Sequence, residues 1–373
     1  MHIPDGYLSP STCAVLYAAA LPFWSVALRR VTKLLTTRLV PLMAVVAALT
    51  FVIMMFNLPL PGGTTGHAVG VALATILLGP SASILAVSIA LTIQAIFFGD
   101  GGITTLGANC FNMAIVGSLV AYAVYRLGAG RAPLTASRRV VAAALAGYAA
   151  INAAALAAAV EFGVQPLLFK DATGAPLYAP YPLHIAVPAI MIGHLTFAGL
   201  AELILTGGVV AYFQRTNLGL LARTAPGVAP GDEGVLSARV RSGWSAARPL
   251  WTALALLLVL TPLGILAAGK AWGEWRARDF AEPQARGGIT AASRHQQPPA
   301  QAPRGLERLA SLWTAPFPDY APDLVRRPSL GYVLSAMFGA GVIVSICLVA
   351  GTLTTKAQSL RGTPKQRQPA AEP

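Results

Sequence analysis

The sequence predicts an all-α, polytopic membrane protein, with about seven transmembrane helices in its first part and two more in its last. Three observations carry this. The 373 residues are 55% hydrophobic and only 11% charged, a balance outside soluble globular usage. From Leu39 to Gly99 there is no Asp, Glu, Lys or Arg. The basic residues, which give a net charge of +13, stand in short clusters at the ends of apolar runs. That distribution reads as membrane topology and excludes a nucleic-acid footprint.

The first apolar run, Thr12 to Leu28, is followed by Arg29, Arg30, Lys33 and Arg38. Basic clusters mark the cytoplasmic ends of spans, so this one leaves Met1 outside. Asp5 and the absence of a basic leader argue against a cleaved signal peptide. Leu39 to Leu60 returns outward and delivers Gly62-Gly63-Thr64-Thr65-Gly66-His67 to the side that holds Met1. The stretch from Ala68 to Gly99 is too long for one span and is broken at Gly79-Pro80-Ser81. It predicts two short helices, 68–78 and 82–98. An outer loop, Gly99 to Leu106, holds Asp100.

Asn109 to Leu127 descends to Arg126, Arg131, Arg138 and Arg139. The Ala-rich run from Val140 to Phe162 suits close helix contact. Residues 163–182 read as an outer loop, and Leu183 to Phe213 returns to Arg215 and Arg223, completing seven crossings. Domain boundaries follow: a membrane domain over 1–215, a Gly/Pro/Arg-rich cytoplasmic linker over 216–244, a second domain over 245–355, and a basic cytoplasmic tail over 356–373. The second domain has spans at Leu250 to Ala268 and Gly331 to Gly351, separated by an outer loop over 270–328. That loop carries nine Lys or Arg, against the positive-inside bias, which is weak for loops near this length. Within it, the Arg, Gln and Pro of 281–304 predict a mobile segment. Parity closes with the N-terminus outside and the C-terminus inside. Cys13, Cys110 and Cys347 lie in or beside apolar runs without ligand spacing and read as small core residues.

One constellation carries chemistry. His67 is the only ionisable side chain between Arg38 and Asp100. Neutral imidazole ligates a borderline divalent cation without bringing charge into an apolar region. In Met1-His2 the amine, the His2 backbone nitrogen and His2 Nδ1 can close adjacent chelate rings around one ion. The remaining in-plane position is open to His67. A plane of nitrogens suits Ni(II) or Cu(II), with Co(II) conceivable, and fits tetrahedral Zn(II) poorly. On residues alone two other readings stay open: a solvated tail His2, and a His67 hydrogen-bonded in its loop. His194 and Glu202, eight residues apart in one span, share a helical face. An intramembrane enzyme using that pair is one alternative function, and a scaffold that binds no metal is another. No phosphate loop, Gly-x-Ser-x-Gly or His-Glu-x-x-His occurs, so catalysis and self-powered transport are unsupported.

Three motifs in order resemble the CbiM/NikM family. They are Met1-His2-Ile3-Pro4-Asp5-Gly6, Pro61-Gly62-Gly63-Thr64-Thr65-Gly66-His67, and Phe98 to Asn109 with Asn112-Met113. Such proteins are the substrate-capturing membrane components of energy-coupling-factor transporters for cobalt and nickel. The resemblance covers roughly 1–215 and implies a metal held by Met1, His2 and His67, with Ni2+ or Co2+ as transported substrate and no organic cofactor. Asp100, Asn109, Asn112 and Thr65 become candidates for orienting those ligands. The resemblance also implies two partners: an energy-coupling membrane subunit of the CbiQ/NikQ kind and cytoplasmic ABC ATPases of the CbiO/NikO kind. The prokaryotic inner membrane is the expected location. Gly305-Leu306-Glu307 and Pro318-Asp319-Tyr320, ahead of the last span, resemble the auxiliary CbiN/NikN subunit in its PDGLE variant, with Pro303-Arg304 where that motif has Pro-Asp. This implies a fusion of two usually separate subunits.

Overall fold

The computed structural model describes residues 1–34, 39–225, 247–267, 269–322 and 325–360. Arg38, most of the expected linker from 226 onward, and the tail residues Arg361, Lys365 and Arg367 lie outside the described residues.

Helices dominate. In chain order they are α1 (Pro10–Leu34), α2 (Leu39–Met54), α3 (Val71–Leu78), α4 (Pro80–Phe98), α5 (Leu106–Ala129), α6 (Ser137–Leu168), α7 (Leu183–Thr216) and α8 (Leu218–Ala222). After them come α9 (Arg248–Leu266), α10 (Pro283–Ala292), α11 (Arg304–Leu309) and α12 (Pro328–Leu360). One antiparallel hairpin, β1 (Leu58–Leu60) and β2 (Thr64–Gly66), pairs Pro59 with Thr65.

Seven of these helices, α1, α4, α5, α6, α7, α9 and α12, are long and apolar enough to cross a membrane. The other two segments expected to cross are shorter. The α2 helix has 16 residues and α3 has 8, roughly 24 and 12 Å at 1.5 Å per residue. Both fall short of a hydrocarbon core of about 30 Å. Every residue of both is buried, so protein and not lipid surrounds their ends. α2 stops early because Pro59 and Pro61 follow it and cannot donate the amide a helix needs; the chain turns into the hairpin instead. The break between α3 and α4 falls at Gly79, and Pro80 opens α4 where its missing amide costs nothing.

A wide π turn ends α4 at Gln94–Phe98, and others interrupt α5 at Cys110–Val116 and α7 at His194–Ala198. Such turns re-aim the residues that follow and are frequent at functional sites. α6 packs between α5 and α7 through small residues: Ala143, Ala146, Ala150, Ala154 and Ala158 are all buried.

The expected second domain does not stand apart. α9 and α12 pack on α2, with Gly339 of α12 against the Phe51 ring. The loop between them lies over the end of the bundle that holds the chain start. There Tyr7 Oη donates to the Trp275 carbonyl at 2.7 Å and the Thr65 amide to the Lys270 carbonyl at 3.1 Å.

Two expectations need correction. The segment 281–304 is ordered: it contains α10, and Arg286 donates to the carbonyls of Phe280, Pro298 and Pro299 at 2.6–3.1 Å. Polar composition misled there because one arginine fastens three carbonyls while Phe280 and Ile289 supply a small core. The start of the linker is helical too, since α8 buries Leu220 and Leu221.

Candidate metal centre

The chain start is folded inward. Met1 is 7% exposed, His2 1% and Ile3 0%, so the first residues are core and not a solvated tail. The main chain at Ile3 is gripped from α5. The Asn109 side chain accepts from the Ile3 amide at 2.8 Å and donates to its carbonyl at 3.1 Å. That carbonyl also accepts from the Gly102 amide at 3.0 Å and the Thr105 hydroxyl at 2.5 Å. Asp5 accepts from the amides of Ile103 and Thr104 at 3.1 and 2.7 Å and from the Thr104 hydroxyl. The Ile3 peptide and the Asp5 carboxylate, which lose hydration on burial, are therefore paired.

These anchors bring the two sequence-distant histidines together. The His2 and His67 rings lie 5.1 Å apart, centroid to centroid, at 64°. His67 donates from Nδ1 to the Ala68 carbonyl at 3.1 Å. A carbonyl can only accept, so the proton resides on Nδ1 and Nε2 keeps the lone pair a metal needs. Burial, reinforced for His67 by the neighbouring His2 and for both by the terminal ammonium, lowers both imidazoles from 6.5 to about 3. At neutral pH both rings are uncharged, each with one nitrogen that keeps its lone pair.

His2 shows one departure from the expected chelate. Its Nδ1 is 3.1 Å from Asp100 Oδ1 and 3.3 Å from the Asp100 carbonyl, while its Nε2 is buried without a partner. Both Asp100 atoms beside Nδ1 accept, so Nδ1 carries the ring proton; chelation through Nδ1 would require that proton to move to Nε2 and the ring to leave Asp100. Asp100 is itself held by the Tyr320 hydroxyl at 2.6 Å and the Gln94 amide at 3.3 Å. Among the described residues no three His, Cys, Asp or Glu side chains converge at ligand spacing. Two imidazoles alone do not make a complete site.

The remaining sequence candidates separate. Thr65 is buried and acts through its backbone, in the hairpin and toward Lys270. Asn112 does not face the histidines: its amide donates to Glu161 of α6 at 2.8 Å. His194 donates to the Ile190 carbonyl on its own helix at 2.8 Å. Glu202 accepts from the amides of Val69 and Gly70 at 2.8 and 2.9 Å. His194 and Glu202 therefore have separate partners and form no acid–base pair.

Sequence reasoning missed the contribution from the far end of the chain. Glu274 Oε1 lies 3.8 Å from the Met1 amine, and burial raises its carboxyl pKa while the ammonium opposes that rise. Gly6, at φ +88°, lets α11 settle on the chain start; a Cβ there would be 2.7 Å from Leu306 Cα. A cavity of about 950 Å³ reaches His67, lined by Asp5, His67 and Asp100 of the first part of the chain and by Lys270, Glu274 and Tyr320 of the last. Only the Gly-Leu-Glu wording hinted at this contact; nothing in the spacing pointed to Glu274.

Fold and site together define a multi-pass helical membrane protein whose buried amino-terminal segment meets a loop histidine beside that cavity. Residues 2–219 match the CbiM family, described as the cobalt uptake substrate-specific transmembrane region, and residues 248–356 match the PDGLE domain. The chain belongs to the CbiM family and carries a PDGLE domain fused behind it. It is 56% identical, over 96% of its length and all of the relative's, to the fused nickel transport protein NikMN of Rhodobacter capsulatus. It is 40% identical, over 94% of its length and 97% of the relative's, to the probable fused nickel transport protein LarMN of Lactiplantibacillus plantarum. A crystal structure of a truncated transition metal transporter superposes at TM-score 0.55 with 52% identity, covering 58% of this chain and 99% of that one. These relatives are transport proteins, not enzymes.

Proposed function

We propose that this chain is the substrate-capturing membrane component of an energy-coupling-factor importer for divalent nickel or cobalt. The relatives named for nickel transport, and the more distant cobalt transport protein CbiM of Geobacter sulfurreducens at 35% identity, support that substrate class. In this reading the Met1 amine, the His2 amide nitrogen, His2 Nδ1 and His67 Nε2 hold the ion in a near plane. Displacing the amide proton leaves one negative charge on the ligand set, which partly neutralises the ion in a poorly hydrated pocket. The observation that carries the proposal is the burial of Met1 and His2 with the His2 ring 5.1 Å from His67.

Capture proceeds from the outer side, the cavity between the two parts of the chain serving as the vestibule. His2 turns from Asp100 to the ion as its ring proton moves from Nδ1 to Nε2, Asn109 keeps the Ile3 peptide fixed, and Asp100 stays beside the site as a compensating carboxylate. Nothing in the sequence supplies energy for release, so an energy-coupling membrane subunit and ABC ATPases complete the transporter in the inner membrane. Planar nitrogen donors place nickel slightly ahead of cobalt.

Metal analysis of the purified protein, with Ni(II) and Co(II) in competition, tests this. Stoichiometric metal that is lost both on His67→Ala and on adding residues ahead of Met1 is the expected result. Equal retention in the extended protein contradicts the ligand set. A protein that brings down neither ion contradicts the transport reading.

A further inference from the structure

Glu202 is a fully buried carboxylate inside a membrane-crossing helix, and the ligand set has no use for it. A charge in that position persists only when local groups compensate it. The compensation here comes from the chain immediately after His67: Glu202 Oε2 accepts from the amides of Val69 at 2.8 Å and Gly70 at 2.9 Å. Those amides lead into α3, whose first N–H groups have no partner within the helix and whose N-terminal end favours a negative group. Gly70, at φ 74°, makes the turn that presents them.

The same helix also touches the chain ahead of His67. Gly193 of α7 lies against Leu60 in β1; a Cβ there would stand 2.7 Å from Leu60 Cδ1. α6 backs α7 at the level of Glu202, since a Cβ on Gly147 would be 2.8 Å from the Glu202 carbonyl oxygen. His67 is therefore bracketed by two attachments to one helix, and the π turn His194–Ala198 lies between them. Ile3 and Asp5, which follow Met1 and His2, are anchored elsewhere, to α5 and its leading loop.

We infer that α7 sets the position of the His67 imidazole through Glu202, which makes Glu202 a positioning residue for metal capture. The inference rests on His67 being a ligand. It has a mechanical consequence: a displacement of α7 moves one donor of the plane and leaves the amino-terminal chelate in place. Opening the site then means withdrawing His67, not dismantling the whole ligand set.

The test uses the full chain in detergent, loaded with Cu(II) as a paramagnetic probe for nitrogen hyperfine structure and titrated separately with Ni(II). Wild type should show four nitrogen donors and His67→Ala three. Glu202→Leu should also show three, with nickel affinity at least about tenfold weaker. Glu202→Gln keeps an acceptor but loses the charge, and should hold four donors with affinity weakened about threefold. A wild type without the four-nitrogen signature overturns the ligand reading itself. Four donors with unchanged nickel affinity in Glu202→Leu overturn this inference alone. Should the leucine variant not fold, an affinity for Glu202→Gln equal to wild type overturns it as well.

Discussion

At the scale of single residues, the proposed site depends on burial that keeps its imidazoles neutral and on the pairing of the Ile3 peptide. His67→Ala removes one donor of the plane and should weaken nickel binding at least about a hundredfold, roughly 2.8 kcal/mol, in a calorimetric titration. Asn109→Ala frees the Ile3 peptide without touching a ligand and should cost roughly 10- to 100-fold in the same titration. The pH dependence has a definite sign. His2 and His67 are held near 3, against 6.5 in an unfolded chain. As pH falls through 6.5 the unfolded state takes up protons that the folded state refuses, so stability declines. Between pH 7 and pH 5 each ring should remove roughly 2 kcal/mol. Thermal denaturation of the metal-free protein should show a falling midpoint, and His67→Gln should reduce the slope; a midpoint independent of pH contradicts neutral burial.

At the scale of elements, the contact between the chain start and α11 gives a sharp prediction. Gly6 has φ +88° and sits under Leu306, so Gly6→Ala brings both a disfavoured conformation and a backbone clash. It should destabilise by about 1–3 kcal/mol and lower metal retention, read as melting temperature and bound nickel together. The sequence showed the helices readily because charge-free runs with basic ends mark spans. It singled out Met1, His2 and His67 because a lone His in a charge-free stretch and an amino-terminal His are each conspicuous, and the structure brings the two rings to 5.1 Å. It could not show Glu274, Tyr320 or Leu306 at the site, since their approach depends on α9 and α12 packing against α2. It also could not separate Asn109 from Asn112. Three residues apart, they diverge at the π turn that begins at Cys110, one toward Ile3 and the other toward Glu161. The ordering of 281–304 was hidden for a similar reason: Arg286 finds its three carbonyls only after the loop closes on itself.

At the scale of the whole molecule, the two matched regions form one packed body around α2, and the loop of the second region covers the pocket of the first. The proposed orientation puts that cover outside. Cys13, Cys110 and Cys347 are buried, so a single exposed cysteine introduced as Ser311→Cys should react with an impermeant maleimide in intact spheroplasts. Labelling only after permeabilisation would reverse the topology. The claim on which the rest depends is that the amino-terminal residues and His67 together make a planar nitrogen site. X-ray absorption at the nickel edge of the loaded, full-length protein tests it most directly. The predicted spectrum is that of a four-coordinate planar ion with nitrogen neighbours only, altered by His67→Ala. A six-coordinate oxygen shell, a sulfur neighbour, or a spectrum indifferent to His67→Ala would contradict it.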